Sequence, residues 1–164
     1  MYQAAIPTFI QALQNLEGIL DKGAAHAEAK KIEPSVLLAS RLYPDMFALT
    51  RQVQIAADGA KTGAARLCGK EPPSFEDNET TFPELKARLK KTIAYLETFK
   101  PEEFDGAEDR TVKWKTRSSE KSMQGLAYLN HYVLPNLFFH ATAAYAILRH
   151  CGVEVGKKDY LGNI

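Results

Sequence analysis

The sequence predicts an all-α fold, specifically a four-helix bundle formed by a single domain over residues 1–164. Three observations support this prediction. In four long stretches, apolar residues recur at steps of three and four, the spacing that places them on one face of a helix. Glycine and proline interrupt the chain between these stretches. A length of 164 residues suits one sizeable core and leaves too little chain for a second.

The composition restricts the class of function. The net charge is +1 and the pI is about 7.8, so no overall field attracts nucleic acid or an anionic membrane. No apolar run is long enough to span a membrane, and the N-terminus lacks the basic region of a secretory signal. The two cysteines, Cys68 and Cys151, match no metal-binding or redox spacing. We therefore expect a cytoplasmic protein that binds neither nucleic acid nor membranes.

The first helix is predicted over residues 3–22, with Pro7 in its opening turns and Gly23 as its end. A short helical piece over residues 24–31 is expected to follow before Pro34. The connection to the second helix is long and contains its own apolar run, "VLLASRLYP".

The second helix is predicted over residues 45–68, with Asp45 as its N-cap and Gly69 after its end. Its inner face is rich in alanine and is flanked by Gly59 and Gly63. Small residues of this kind let another helix approach closely.

The third helix lies in "TFPELKARLKKTIAYLETFK", where Thr81 and Glu84 have the spacing of a capping box. Its solvated side is predicted to carry Lys86, Arg88, Lys90 and Lys91. A second long connection follows, in which Val112 and Trp114 alternate with charged neighbours. This alternation predicts a short extended segment or hairpin that Trp114 anchors onto the bundle.

The fourth helix is predicted to run from Tyr128 or Tyr132 to Cys151. Proline inside a regular helix costs about 3 kcal/mol. We therefore expect either a kink at Pro135 or a break, with the long helix starting near Leu134.

Asn136 and His140 form the most informative pair in this apolar helix. They lie four residues apart and share a stripe with Tyr132, so both side chains are directed to one place. One interpretation is that each polar group is satisfied locally within the core. The other is that the pair belongs to a binding or catalytic site, since this spacing is how helices present metal ligands and general bases.

Asp58 is the second candidate catalytic residue. With Gln54 and Lys61 it forms a stripe on the second helix, for which a solvent-facing ion pair between Asp58 and Lys61 is the favoured interpretation. The alternative is that Asp58 and Gln54 face the same cleft as His140. A carboxylate there would orient the imidazole and raise its basicity.

Three stretches carry a resemblance to a known family: "YPDMFALTRQVQIAADGAKTGAARLCG", "PNLFFHATAAYAILRHCGV" and "GKKDYLG". They resemble the DinB/YfiT-like helical bundles, in particular a bacterial branch of unknown function. The resemblance implies a divalent metal, nickel or zinc, held by three histidines in many members, and thiol-dependent transferase activity in several. The positions of those histidines correspond here to His140, to Asn136, and to Gln52 or Gln54.

Carboxamides therefore replace imidazoles at two of the three positions that the resemblance implies, and neutral amides bind transition metals weakly. We expect a retained small-molecule pocket formed by Asn136, His140, Gln52, Gln54 and Tyr132, with no cofactor. His140 is a metal ligand only if a metal is present.

Two other hypotheses stay open. One is a metal-dependent transferase or hydrolase with an atypical site completed by Asp58, Asp45 or water. The other is a non-enzymatic, dimeric stress-response or interaction module. A homodimer is expected from the alanine-rich faces of the second and fourth helices, and the C-terminal "DYLGNI" is expected to dock onto the bundle.

Overall fold

A computed structural model describes residues 1–115 and 119–162 of the chain. The long helices in these ranges are α1 (Tyr2–Lys30), α3 (Leu49–Leu67), α4 (Phe82–Glu97) and α6 (Leu134–His150). The shorter elements are α2 (Pro34–Ala39), a 3-10 turn (Pro101–Phe104), β1 (Thr111–Lys115), β2 (Glu120–Gln124), α5 (Gly125–Tyr128), a π-helical turn (Leu129–Val133) and α7 (Lys157–Leu161). The long helices confirm the predicted bundle.

The core lies between the long helices. α3 packs against α6 and α4, and α1 packs against α4, α6 and α3. The alanine-rich face of α3 is fully buried in this arrangement. The lack of a side chain at Gly63 lets α3 lie close to Val133, because a Cβ at this position would be only 2.5 Å from a methyl carbon of that residue.

α1 is longer than the sequence predicts. The helix continues through Gly23 to Lys30, so the predicted end at Gly23 and the separate piece over residues 24–31 are wrong. Gly23 is a packing residue, because a Cβ there would lie 3.1 to 3.2 Å from side-chain atoms of Leu148 and Phe82. The helix ends where Lys31 adopts the left-handed conformation, with φ 54°.

α3 begins later than predicted. Its N-cap is Ala48, and Asp45 lies exposed in the preceding turn. The apolar run before it forms α2, which buries Leu37 and Leu38 against the core. The amide of Leu49 donates to the carbonyl of Ser40 at 2.9 Å, which ties the start of α3 to the end of α2.

α4 begins with the predicted capping box. The hydroxyl of Thr81 accepts from the amide of Glu84 at 3.3 Å, and the Glu84 carboxylate accepts from the amide of Thr81 at 3.0 Å. The prediction that Arg88 lies on the solvated side is wrong, because its side chain is buried.

The connection between α4 and α6 contains the predicted hairpin. β1 and β2 pair antiparallel, and Trp114 is buried as expected. Residues 116–118 of this connection and the last two residues of "DYLGNI" lie outside the described residues. The π-helical turn leads directly into α6, which starts at Leu134. The backbone of Val133 and Leu134 is helical, so the predicted break is absent and a widened helical turn takes its place. Pro135 occupies the first turn, where a missing N–H costs little.

None of the helices that the structure describes is both long enough and apolar enough to cross a membrane.

Candidate functional site

A buried hydrogen bond joins α3 to α6 at the predicted site. Nδ1 of His140 lies 2.6 Å from Oε1 of Gln52. The two side chains are only 8% and 1% exposed. The amide nitrogen of the same Gln52 donates to the carbonyl of Phe47 at 3.1 Å. Gln52 thus uses both ends of its carboxamide, one on the imidazole and one on the backbone before α3.

These contacts define the protonation state of His140. The carboxamide nitrogen is used by Phe47, so the Gln52 oxygen faces the imidazole and can only accept. Nδ1 therefore carries the proton, and Nε2 keeps a lone pair in the neutral ring. Burial lowers the pKa of His140, and the positive charge of Arg51 lowers it further. The imidazole is neutral near pH 7.

Gln54 is directed elsewhere. Its oxygen accepts from Arg51 at 3.1 Å, and its nitrogen donates to Glu79 at 2.8 Å. Arg51 also forms an ion pair with Asp77. Of the two glutamines that the sequence left open, Gln52 meets His140, and Gln54 braces the segment that joins α3 to α4.

A cleft of about 210 Å³ opens along the groove between α3 and α6. We call it the α3–α6 cleft, and its lining residues are Arg51, Ile55, Asp58, Gly59, Thr62, Arg66, Tyr128, Tyr132, Val133 and Asn136. Three of the predicted site residues, Asp58, Tyr132 and Asn136, share it. His140 is not part of this lining and lies one helical turn beyond Asn136. The structure therefore divides the predicted site into a buried pair and an adjacent cleft.

Gly59 keeps the α3–α6 cleft open on the α3 side. A Cβ at this position would lie 3.4 Å from the side-chain nitrogen of Asn136. Any larger residue would fill the space in front of the Asn136 amide.

Aromatic rings form one end of the α3–α6 cleft. Tyr132 stacks on Tyr128, with ring centres 5.6 Å apart, and both rings pack against Trp114 at 5.0 Å. Arg66 donates to the Tyr128 hydroxyl at 3.4 Å. Burial raises the pKa of Tyr128, so this hydroxyl keeps its proton at neutral pH.

Arg51 and Arg66 were not predicted as site residues. Both belong to one stripe of α3, with Ile55, Gly59 and Thr62 between them at helical spacing. This stripe was a usable signal, because its polar and small residues interrupt an otherwise alanine-rich helix.

Asp58 belongs to an ion network between α3 and α4. Its carboxylate lies 2.8 Å from Lys61 and 2.9 Å from Arg88. Arg88 also contacts Asp77 and Glu79, both at 2.9 Å. We call these residues, together with Arg51, the α3–α4 ion network.

The predicted ion pair of Asp58 and Lys61 forms, but its solvent-facing position is wrong, because Lys61 is buried beneath the segment that joins α3 to α4. Its ammonium group also lies 3.9 Å from the ring centre of Phe75. Gln52, and not Asp58, is the residue that orients the imidazole of His140.

The donor groups at this site do not suit a nickel or zinc ion. Among the described residues, no group of three or more histidine, cysteine, aspartate or glutamate side chains is placed to hold a metal. His140 supplies one imidazole, whose Nδ1 is already used by Gln52, and the other resemblance positions supply neutral amides. Asp58 is engaged by two cations, and Asp45 is exposed in a turn before α3.

Comparison with known proteins agrees with the fold. Residues 1–161 match the model of a family described as a domain of unknown function (DUF1993). The chain is also similar to a crystal structure of a DinB family member protein from Shewanella denitrificans, with a TM-score of 0.94 and 45% sequence identity. That match covers 99% of this chain and 92% of the other. No curated protein matches the chain. The chain therefore belongs to the DUF1993 family and has the helical-bundle fold of a DinB family member.

Proposed function

We propose that this protein binds a small anionic molecule with a planar group in the α3–α6 cleft, without a metal. The observation that carries the proposal is the environment of Arg66. Its guanidinium lines the cleft and donates to Tyr128, and no ion pair within the described ranges neutralises it.

The charges around the cleft support an anionic ligand. Asp58 is offset by Lys61 and Arg88, and Arg51 is offset by Asp77. The charge of Arg66 is left over, and the planar guanidinium fork suits a carboxylate or phosphate.

The remaining lining groups define the rest of the ligand. The Tyr132 ring is 39% exposed and offers a face on which a flat group can stack. The carboxamide of Asn136 supplies a donor and an acceptor beside it. A volume of about 210 Å³ limits the ligand to a molecule smaller than a typical drug.

In this proposal the Gln52–His140 pair positions the cleft. The hydrogen bond fixes α6 against α3 one turn from Asn136, and so holds the Asn136 amide opposite Gly59.

The test uses benzoate and phenyl phosphate as anionic probes. We expect both to raise the Tm of the untagged protein by about 3 to 6 °C at ten times their Kd. Arg66→Gln should abolish the shift. Arg149→Gln, at an exposed arginine of α6, is the matched control and should retain it. An equal shift in both variants would remove the basis of the proposal.

We also propose that the protein forms a homodimer, as the alternative hypothesis of a dimeric interaction module requires. The alanine-rich face of α3 is used inside the bundle, so a second copy needs another surface. An apolar groove of about 390 Å³ lies between the segment before α3 and the outer face of α6, lined by Leu42, Met46, Pro135, Phe138, Phe139, Thr142, Ala143 and Ala146. We call it the outer groove. Phe139 is 58% exposed there. Exposed apolar residues that cluster on a surface are typical of protein–protein contacts.

The free state of Cys68 and Cys151 supports a reducing compartment, and we propose that the protein is cytoplasmic.

A further inference from the structure

A second cavity lies beneath the C-terminal helix α7, between α1 and α6. It has a volume of about 200 Å³, and we call it the α7 pocket. Its apolar walls are Ala12, Leu16, Ile19, Phe138, Ala141 and Leu161. It shares no lining residue with the α3–α6 cleft.

The roof of the α7 pocket is held from both sides. Asn15 of α1 donates to the carbonyl of Tyr160 at 3.0 Å. Thr142 of α6 donates to the hydroxyl of the same tyrosine at 2.9 Å. Lys22 and Asp159 form an ion pair at 2.6 Å. These three contacts hold α7 in place above the α7 pocket.

The pocket exists because small residues stand where larger ones would fill it. Ala12 on α1 and Ala141 on α6 both line it, and a leucine at either position would project into the space. The pocket is open to solvent on one side, where Phe138 and Leu161 are each 39% exposed, so a small molecule can enter it without displacing α7.

The lining defines the chemistry of that occupant. Within the described part of the chain no charged side chain lines the pocket, and its polar members are Thr8, Gln11, Asn15 and Tyr160. The rings of Phe138 and Tyr160 favour an aromatic partner, because rings pack well edge to face. A dry cavity of about 150 Å³ accepts benzene in other proteins.

We propose that the α7 pocket binds a small neutral aromatic molecule, of the size of one or two fused rings, with its single polar group near Thr8 and Gln11. The proposal is independent of the anion site, since it concerns a different surface of α6.

The experiment uses indole as the probe and indole-3-carboxylate as its charged counterpart. At ten times its Kd, indole should raise the Tm of the full-length protein by about 3 to 6 °C, and the carboxylate should have a smaller effect. In amide NMR spectra, indole should shift the signals of Ala12, Ala141 and Leu161.

Two filling variants, Ala12→Leu and Ala141→Leu, should each abolish the indole shift. Ala94→Leu, at an exposed alanine of α4 that lines neither the α7 pocket nor the outer groove, is the matched control and should keep it. Arg66→Gln should also keep it, which separates this site from the α3–α6 cleft. The proposal is overturned if indole leaves both the Tm and the named signals unchanged, or if both filling variants respond as the wild type does. Should one filling variant fail to fold, the other variant and the wild-type NMR signals still decide.

Discussion

Nδ1 of His140 and Oε1 of Gln52 lie 2.6 Å apart, so a neutral hydrogen bond joins α3 to α6 at the place where the resemblance implied a metal. In this bond His140 donates and Gln52 accepts. Burial and the positive charge of Arg51 both oppose protonation of the imidazole.

The first prediction concerns pH. The folded-state pKa of His140 lies below its ordinary value of 6.5, so the unfolded chain takes up a proton at higher pH than the folded protein does. The stability from the neutral imidazole is complete above pH 6.5 and is lost as the pH falls toward the folded-state pKa. Urea unfolding from about pH 8 to pH 5 should show wild type losing stability relative to His140→Gln. His150→Gln, at an exposed histidine, should follow the wild type. A constant difference between wild type and His140→Gln at every pH would contradict the assignment.

The second prediction concerns the α3–α4 ion network. Arg88→Met removes the buried cation that Asp58, Asp77 and Glu79 share. Lys61 and Arg51 still pair with Asp58 and Asp77, but Glu79 is left with no cationic partner among the described residues. We expect a loss of about 3 kcal/mol in the free energy of unfolding, since breaking a buried charge network is costly. Lys90→Met, on the exposed side of α4, should change it by less than about 1 kcal/mol. Chemical denaturation at neutral pH measures both, and similar losses in the two variants would disprove the role of Arg88.

The third prediction compares two helical glycines. In Gly63→Ala the new methyl group would meet Val133 at 2.5 Å, and we expect a destabilisation of about 1 to 3 kcal/mol. In Gly18→Ala the new methyl group meets nothing within 4 Å, so the better helix propensity of alanine should stabilise the protein by about 0.5 to 1 kcal/mol. Thermal and urea unfolding report both signs. Adding Val133→Ala to Gly63→Ala should recover part of the loss, and no recovery would mean that the clash is not its cause.

The fourth prediction concerns the proposed homodimer. Light scattering after gel filtration should give twice the 18.3 kDa of one chain. Phe139→Glu, in the outer groove, should give a monomer, because a charge cannot be buried without a partner. Leu126→Glu, at another exposed apolar residue, should leave the mass unchanged. A wild-type monomer at micromolar concentration, or a dimer that survives Phe139→Glu, would exclude this surface.

Sequence patterns predicted the helices well and the polar interior poorly. The capping box at Thr81 depends on local chemistry and was predicted. An irregularity near Pro135 was also predicted, but it is a π-helical turn and not a break. Gly23 was wrongly predicted to end α1. In sequence, a glycine that ends a helix cannot be told from one that makes room for a neighbouring side chain, here that of Leu148.

The candidate site shows the same limit. Helical spacing placed Asn136 and His140 on one stripe of α6, but it could not show that Gln52 would take the imidazole while Asn136 faced the cleft. The charge pattern of α4 predicted a solvated Arg88. Its burial was missed because its acidic partners Asp77 and Glu79 come from an irregular segment, whose position no periodicity reveals.

The π-helical turn at Leu129–Val133 sets the angle at which the hairpin meets the rest of the molecule. A turn of this kind holds one residue more than an α-helical turn, and each residue of a helix advances the direction of its side chain by about 100°. Deleting the exposed Asn130 would remove this extra residue and rotate Tyr128, with the Trp114 ring that packs on it, away from Arg66. The aromatic end of the α3–α6 cleft thus depends on one additional backbone residue within the same turn as Tyr132.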